Sequence, residues 1–166
     1  LVSSTYPKQK GVPYVMELGY IPCDKLHEAT SVAMEYAVGD WGIAQMAKKM
    51  GKDSVYNEYL KRGKYYTQYF DKDINYIRPK NSAGKWTAPY DPFLSVHGTG
   101  DFCEGTGWQY TFFVPQHPEG LIELFGGDEP FISKLDSLFV AEGDMGEGYS
   151  ADITGLIGQY AHGNEP

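Results

Sequence analysis

Glu104 stands in the stretch DFCEGTGWQY, residues 101–110, with Gly105 beside it and Trp108, Tyr110, Phe112 and Phe113 just beyond. A carboxylic acid packed against rings loses hydration of its charged form, so its pKa rises. That is what a general acid working near neutral pH requires. The competing reading is an acid at a helix N-terminus, where the dipole favours the carboxylate and lowers the pKa. Asp40 lies on the apolar face of a helical stretch, between Tyr36 and Ala44 and beside Trp41. A charge there needs either a binding site or an ion pair with a Lys or Arg of a neighbouring helix, and the sequence leaves both open. The segment HGNEP, residues 162–166, gathers His162, Asn164 and Glu165. Oxygen ligands suit Ca2+, and the same groups can grip sugar hydroxyls. Three polar residues after a helix are also an ordinary helix end. His97 and His117 read as surface loop histidines, and Met34, Met46 and Met50 as core filler.

These residues need elements to position them. Residues 31–50 read as a helix, because Ala33, Tyr36, Ala37, Asp40, Trp41, Ala44 and Ala47 recur at three- and four-residue steps. Gly51 ends it, and Asp53 or Ser54 caps a second helix whose face is Tyr56, Tyr59, Leu60, Gly63, Tyr66 and Phe70. So short a linker implies an antiparallel helical hairpin. Between residues 71 and 101 the periodicity is lost among Pro79, Asn81, Gly84, Pro89 and Pro92, with room for a small hairpin turning at 82–84. A stretch this long without regular structure is more often functional than idle. Short helices are expected over GWQYTFFV, HPEGLIELF and EPFISKLDSLF, the last with Pro130 tolerated in its first turn. A final helix is expected over ADITGLIGQYA, with Ile153, Leu156, Ile157 and Tyr160 on one side. About six helices and no βαβ rhythm place the chain in the mainly α class.

Composition bounds the function. The 166 residues suffice for one domain with a core, and 42% apolar with 22% charged residues is ordinary for a globular protein. The net charge of −8, with no basic run, argues against nucleic acid. No apolar stretch approaches the ~18 residues a membrane span needs. The aromatic share is 15%, including 14 Tyr, which fits a carbohydrate-binding face and a Tyr-rich core equally. Cys23 and Cys103 lack metal-ligand spacing; a disulfide and two free thiols are both open.

Four stretches together resemble one family. EYAVGDWGIAQMAKKMGK, GKWTAPYDPF, EGTGWQYTFFVPQHPEGLIELFGG and DITGLIGQYAHGNEP occur in the order and spacing found in glycoside hydrolase family 92, the calcium-dependent exo-acting α-mannosidases. The likeness runs from about residue 19 to residue 166. It implies that the chain is a single partial segment, roughly half of an (α/α)6 toroid of helical hairpins with long irregular loops. An N-terminal β-sandwich and the rest of the toroid would lie outside it. It also implies a terminal α-linked mannose as substrate, hydrolysed with inversion, and a periplasmic or secreted location. The family's acid falls on Glu104. Asp40, Trp108, Gln109, His162 and Glu165 fall on substrate-binding positions, and Asn164 and Glu165 on the calcium site. The partners implied are a mannose-containing glycan and the remainder of the parent catalytic domain. Two departures stand out: Thr106 where the family has Asn, and Gly39 where it has the first Asp of a pair. An inverting glycosidase also needs a second carboxylate at roughly 6.5–9.5 Å from the acid, and the family's base is an aspartate downstream of HGNEP. The rival reading is a non-catalytic helical module that binds carbohydrate through its rings.

Overall fold

The computed structural model describes residues 10–149 and 151–161. It is mainly helical: α1 (Val12–Leu18), α2 (Ala29–Lys49), α3 (Asp53–Arg62), α4 (Gly107–Thr111), α5 (Pro118–Phe125) and α6 (Asp128–Leu138). Two short antiparallel hairpins accompany them, β1 (Phe70–Asp71) with β2 (Tyr76–Ile77) and β3 (Leu156–Ile157) with β4 (Tyr160–Ala161).

The α2–α3 hairpin follows from small residues and one stop signal. Ala33, Ala37, Ala44 and Ala47 are all buried on the face α2 presents to its neighbours. At the end of α2, Gly51 adopts φ +67°, its N–H donates to the Lys48 carbonyl at 3.1 Å, and the Lys52 N–H donates to Ala47 at 2.9 Å. This pair of bonds satisfies the last helical carbonyls and reverses the chain. α3 then runs back along α2. The approach is close because Gly63 lies over Trp41: a Cβ there would sit 3.0 Å from the Trp41 Cβ.

The core is built largely of rings, among them Tyr66, Tyr69, Phe70, Phe102 and Phe125, with Ile21, Met34 and Ile77 between them. A buried tyrosine needs a partner for its hydroxyl. The Tyr69 hydroxyl accepts from the Ile21 N–H at 2.7 Å and donates to the Ile21 carbonyl at 3.2 Å. The Tyr66 hydroxyl meets His117 Nδ1 at 2.9 Å, so His117 holds a core group rather than a bare surface position. Gly120 leaves the space this pair occupies. Both cysteines are free thiols, and no helix of the described residues is long and apolar enough to cross a membrane.

Several elements differ from the sequence expectation. α3 stops at Arg62 and continues only as a 3-10 turn over Tyr65–Gln68. Residues 71–101 are more ordered than their turn residues suggest. The Arg78 guanidinium donates to Asp71 at 2.9 Å and to the Thr87 carbonyl at 2.7 Å, and Lys80 pairs with Trp86 across the expected turn. The stretch 151–161 is not a helix. Gly155 and Gly158 take φ +63° and +58°, and a Cβ on Gly158 would lie 2.4 Å from the backbone of Phe139. The chain turns there instead, and the Gln159 N–H caps α6 by donating to the Leu138 carbonyl at 2.7 Å. The apolar spacing misled because Ile157 faces outward while Ile153 is buried.

Candidate functional site

The loop carrying Glu104 is fixed from three directions. Ser31 on α2 accepts the Cys103 N–H through its Oγ at 2.7 Å. The Tyr110 hydroxyl donates to the Cys103 carbonyl at 2.9 Å, and Gln109 Oε1 accepts the Thr106 N–H at 2.8 Å. Between these ties Glu104 adopts φ +44°, the left-handed region, one of three described non-glycine residues to do so. That conformation costs about 1–2 kcal/mol for a residue with a Cβ, and such positions persist where the surroundings over-determine them. Gly105 follows because a Cβ there would meet the Tyr110 ring at 2.8 Å.

The Glu104 side chain enters a pocket of about 150 Å³ shared with Glu35, Gln109, Tyr110, Phe113 and Ala161. Among the described residues, neither Glu104 nor Glu35 takes part in a hydrogen bond or ion pair, so both carboxylates are available to a ligand. The apolar wall is Tyr110, stacked on Phe102 at 5.3 Å, with Phe113 edge-on at 5.9 Å. Burial foremost pushes the Tyr110 hydroxyl up to about 12, with Glu35 and Glu28 adding to the rise. Asp101, at the start of the loop, is also pushed up by burial, opposed by His27. Of the rings read as neighbours of Glu104, Phe112 and Trp108 turn elsewhere. Phe112 stacks on Phe125 at 6.2 Å, and Trp108 lies edge-on to Tyr76 at 5.1 Å and 5.9 Å from Phe93.

The other sequence candidates divide. Gln109 stands on the pocket wall and ties it to the terminal hairpin, its Nε2 donating to the Gln159 carbonyl at 2.9 Å. Asp40 is buried and its Oδ2 accepts from Arg62 Nε at 2.9 Å, which is the ion-pair reading of that residue. Trp108 is buried outside the pocket, beneath the ammonium of Lys134 at 4.4 Å. His162, Asn164 and Glu165 lie outside the described residues. The described chain nevertheless brings their immediate predecessor, Ala161, into the same pocket as Glu104. Among the described residues no group of three or more His, Cys, Asp or Glu could hold a metal ion.

Sequence reasoning passed over Glu35. Its signal was in the spacing: Ser31 grips the Cys103 amide, and Glu35 lies one helical turn further along the same face, about 6 Å on. That rise sets it against the residues that follow Cys103.

The glycosyl hydrolase family 92 catalytic domain matches residues 2–166. A family GH92 α-mannosidase of Bacteroides thetaiotaomicron, solved with mannoimidazole, is 38% identical with a TM-score of 0.90, over 98% of this chain and 22% of that one. A family GH92 inverting mannosidase of Bacteroides thetaiotaomicron VPI-5482 is 35% identical with a TM-score of 0.76, over 94% of this chain and 22% of that one. An uncharacterized secreted glycosidase of Arthroderma benhamiae is 25% identical over 151 residues, 73% of this chain and 19% of that protein. The chain thus spans about a fifth of the length of these relatives.

Proposed function

The chain belongs to glycosyl hydrolase family 92, and from that premise we propose that it is part of an exo-acting α-mannosidase in which Glu104 is the general acid. The observation that carries this reading is the unpaired Glu104 carboxylate, held on a strained backbone in a pocket that also contains Ala161. Glu104 donates its proton to the glycosidic oxygen as the bond to the terminal mannose breaks. Tyr110 and Phe113 exclude water from one side of the carboxyl, and Gln109 holds the acid's loop against the hairpin that leads into residues 162–166. His162 and Glu165 then bind the terminal mannose. Inversion requires a second carboxylate to deprotonate the attacking water on the opposite face of the sugar; that base is assigned to the remainder of the parent domain. The substrate is a mannose-containing glycan, for example one ending in an α-1,2 linkage, met in the periplasm or outside the cell.

The amide oxygen of Asn164 and the carboxylate of Glu165 are hard donors of the type Ca2+ takes, and they would hold that ion. When bound it supplies charge that orients the sugar hydroxyls. The described residues add no further metal cluster to this pair.

The test is the full-length protein assayed on α-mannosides, with and without a chelator. Glu104→Gln should lower kcat on an α-mannobiose by 10²- to 10⁴-fold, the span general acid catalysis covers. The loss should be far smaller on a mannoside with an activated aryl leaving group. Full activity of Glu104→Gln on the disaccharide refutes the assignment.

A further inference from the structure

Lys134, on α6, is an amine placed among rings instead of carboxylates. Its Nζ lies 3.3 Å from the centre of the Tyr76 ring and 4.4 Å from that of Trp108. Those two rings meet edge to face at 5.1 Å, with Tyr90 6.1 Å from Tyr76 and Phe93 5.9 Å from Trp108. Among the described residues Lys134 forms no hydrogen bond or ion pair. Trp108 Nε1 is fully enclosed without a partner, whereas Lys134 Nζ is not among the enclosed atoms and so keeps contact with solvent. Lys80 also faces two rings, Tyr20 and Trp86, but there Asp71 opposes the effect of burial. At Lys134 burial acts without a carboxylate against it.

Burial penalises the ammonium and lowers its pKa to about 8. The ring faces attract the cation and oppose this, yet they accommodate the neutral form as well. A neutral amine has two N–H bonds, and each ring face draws one in a weak N–H···π contact. The lone pair is then left to point away from both rings. Lysines desolvated in this way serve as nucleophiles towards carbonyl carbon. We propose that Lys134 is a modification site for small aldehydes, the open-chain form of an aldose included, and that it takes them up as an imine. The nitrogen adds to the carbonyl carbon and the C–N bond forms. The carbonyl oxygen leaves as water with the two amine hydrogens, and nothing is oxidised or reduced. The product is neutral, which suits a half-buried place walled by rings. A carbamate would instead set an anion against the negative faces of Tyr76 and Trp108. The assignment does not depend on the role of Glu104.

Reductive trapping in the full-length protein tests it. The probes are propionaldehyde and glyceraldehyde, the smallest aldose, each with cyanoborohydride. Nα-acetyllysine amide in the same tube serves as an ordinary amine, and peptide mass spectrometry reads the labelled positions. At about pH 7.4 an amine titrating near 8 is roughly 200-fold richer in its neutral form than one titrating near 10.4. Lower basicity weakens a nucleophile, so Lys134 should be alkylated about fivefold faster than the standard, or more, with either aldehyde. At about pH 10 the standard is itself substantially neutral, and the advantage should fall below twofold. Unfolding in guanidinium chloride should abolish the advantage at either pH, because packing against Tyr76 and Trp108 creates it. Alkylation of Lys134 no faster than the standard at about pH 7.4 overturns the inference. So does an advantage that survives unfolding or is undiminished at the higher pH.

Discussion

Gln109 joins the loop that carries Glu104 to the terminal hairpin, and two substitutions pull its roles apart. Gln109→Leu keeps side-chain bulk on the pocket wall but removes the acceptor of the Thr106 N–H at 2.8 Å and the donor to the Gln159 carbonyl at 2.9 Å. At about 0.5–1.5 kcal/mol net for each bond, the loss is about 2 kcal/mol, or roughly thirtyfold in the local equilibrium. Gln109→Glu still accepts from Thr106, and its charge suits the first turn of α4. Towards Gln159, however, it sets one acceptor against another. Hydrogen exchange in the full-length protein reads both ends. Gln109→Leu should expose the Thr106 amide and the hairpin over 156–161, each by about five- to tenfold. Gln109→Glu should expose the hairpin alone. Because the hairpin brings Ala161 into the pocket of Glu104, and a 1 Å misplacement can cost about a hundredfold in rate, both variants should lose at least tenfold in kcat/KM. A Gln109→Glu protein with an unloosened hairpin and full activity refutes the reasoning.

Two further expectations concern the scaffold. Arg62→Ala breaks the buried pair with Asp40 and should destabilise by about 3–5 kcal/mol, while Arg62→Met with Asp40→Leu should cost markedly less; thermal unfolding of single and double variants checks the order. Lys134 is pushed down to about 8 by burial, though its Nζ lies 3.3 Å from the Tyr76 ring centroid and 4.4 Å from that of Trp108, which favour the cation. Its folded pKa lies below its unfolded one near 10.4. The unfolded chain therefore holds the extra proton between those values, and stability should rise with pH across that window. Lys134→Met should flatten that rise, and an unchanged slope counts against the assignment.

The helices legible in the sequence were those whose apolar period agreed with their stop signals. The α2–α3 turn was marked by Gly51, and Gly126 ends α5 in the same left-handed way. The terminal hairpin was misread because Leu156, Ile157 and Tyr160 keep a helical spacing, while two glycines at positive φ decide the backbone. The loop of residues 71–101 owes its order to side chains reaching carbonyls, as Arg78 reaches Thr87, and no periodic pattern encodes such bonds. At the site, Glu104 and Gln109 could be named from their motif. Asp40 could not be placed, since the sequence did not show that Arg62 would reach it across the hairpin. Glu35 was missed because an exposed helical glutamate looks like any other until the loop it faces is known.

The left-handed backbone at Glu104 bears on how the proposed acid would fare in related sequences. Glycine suits φ +44° better than any residue with a Cβ. A population freed from the need for a proton donor would meet no penalty in folding on drifting to glycine there, and would gain a little robustness. If Glu104 is the proton donor proposed above, a sister sequence that has lost activity should show glycine at this codon early, and a glycine there in an active relative would refute the role.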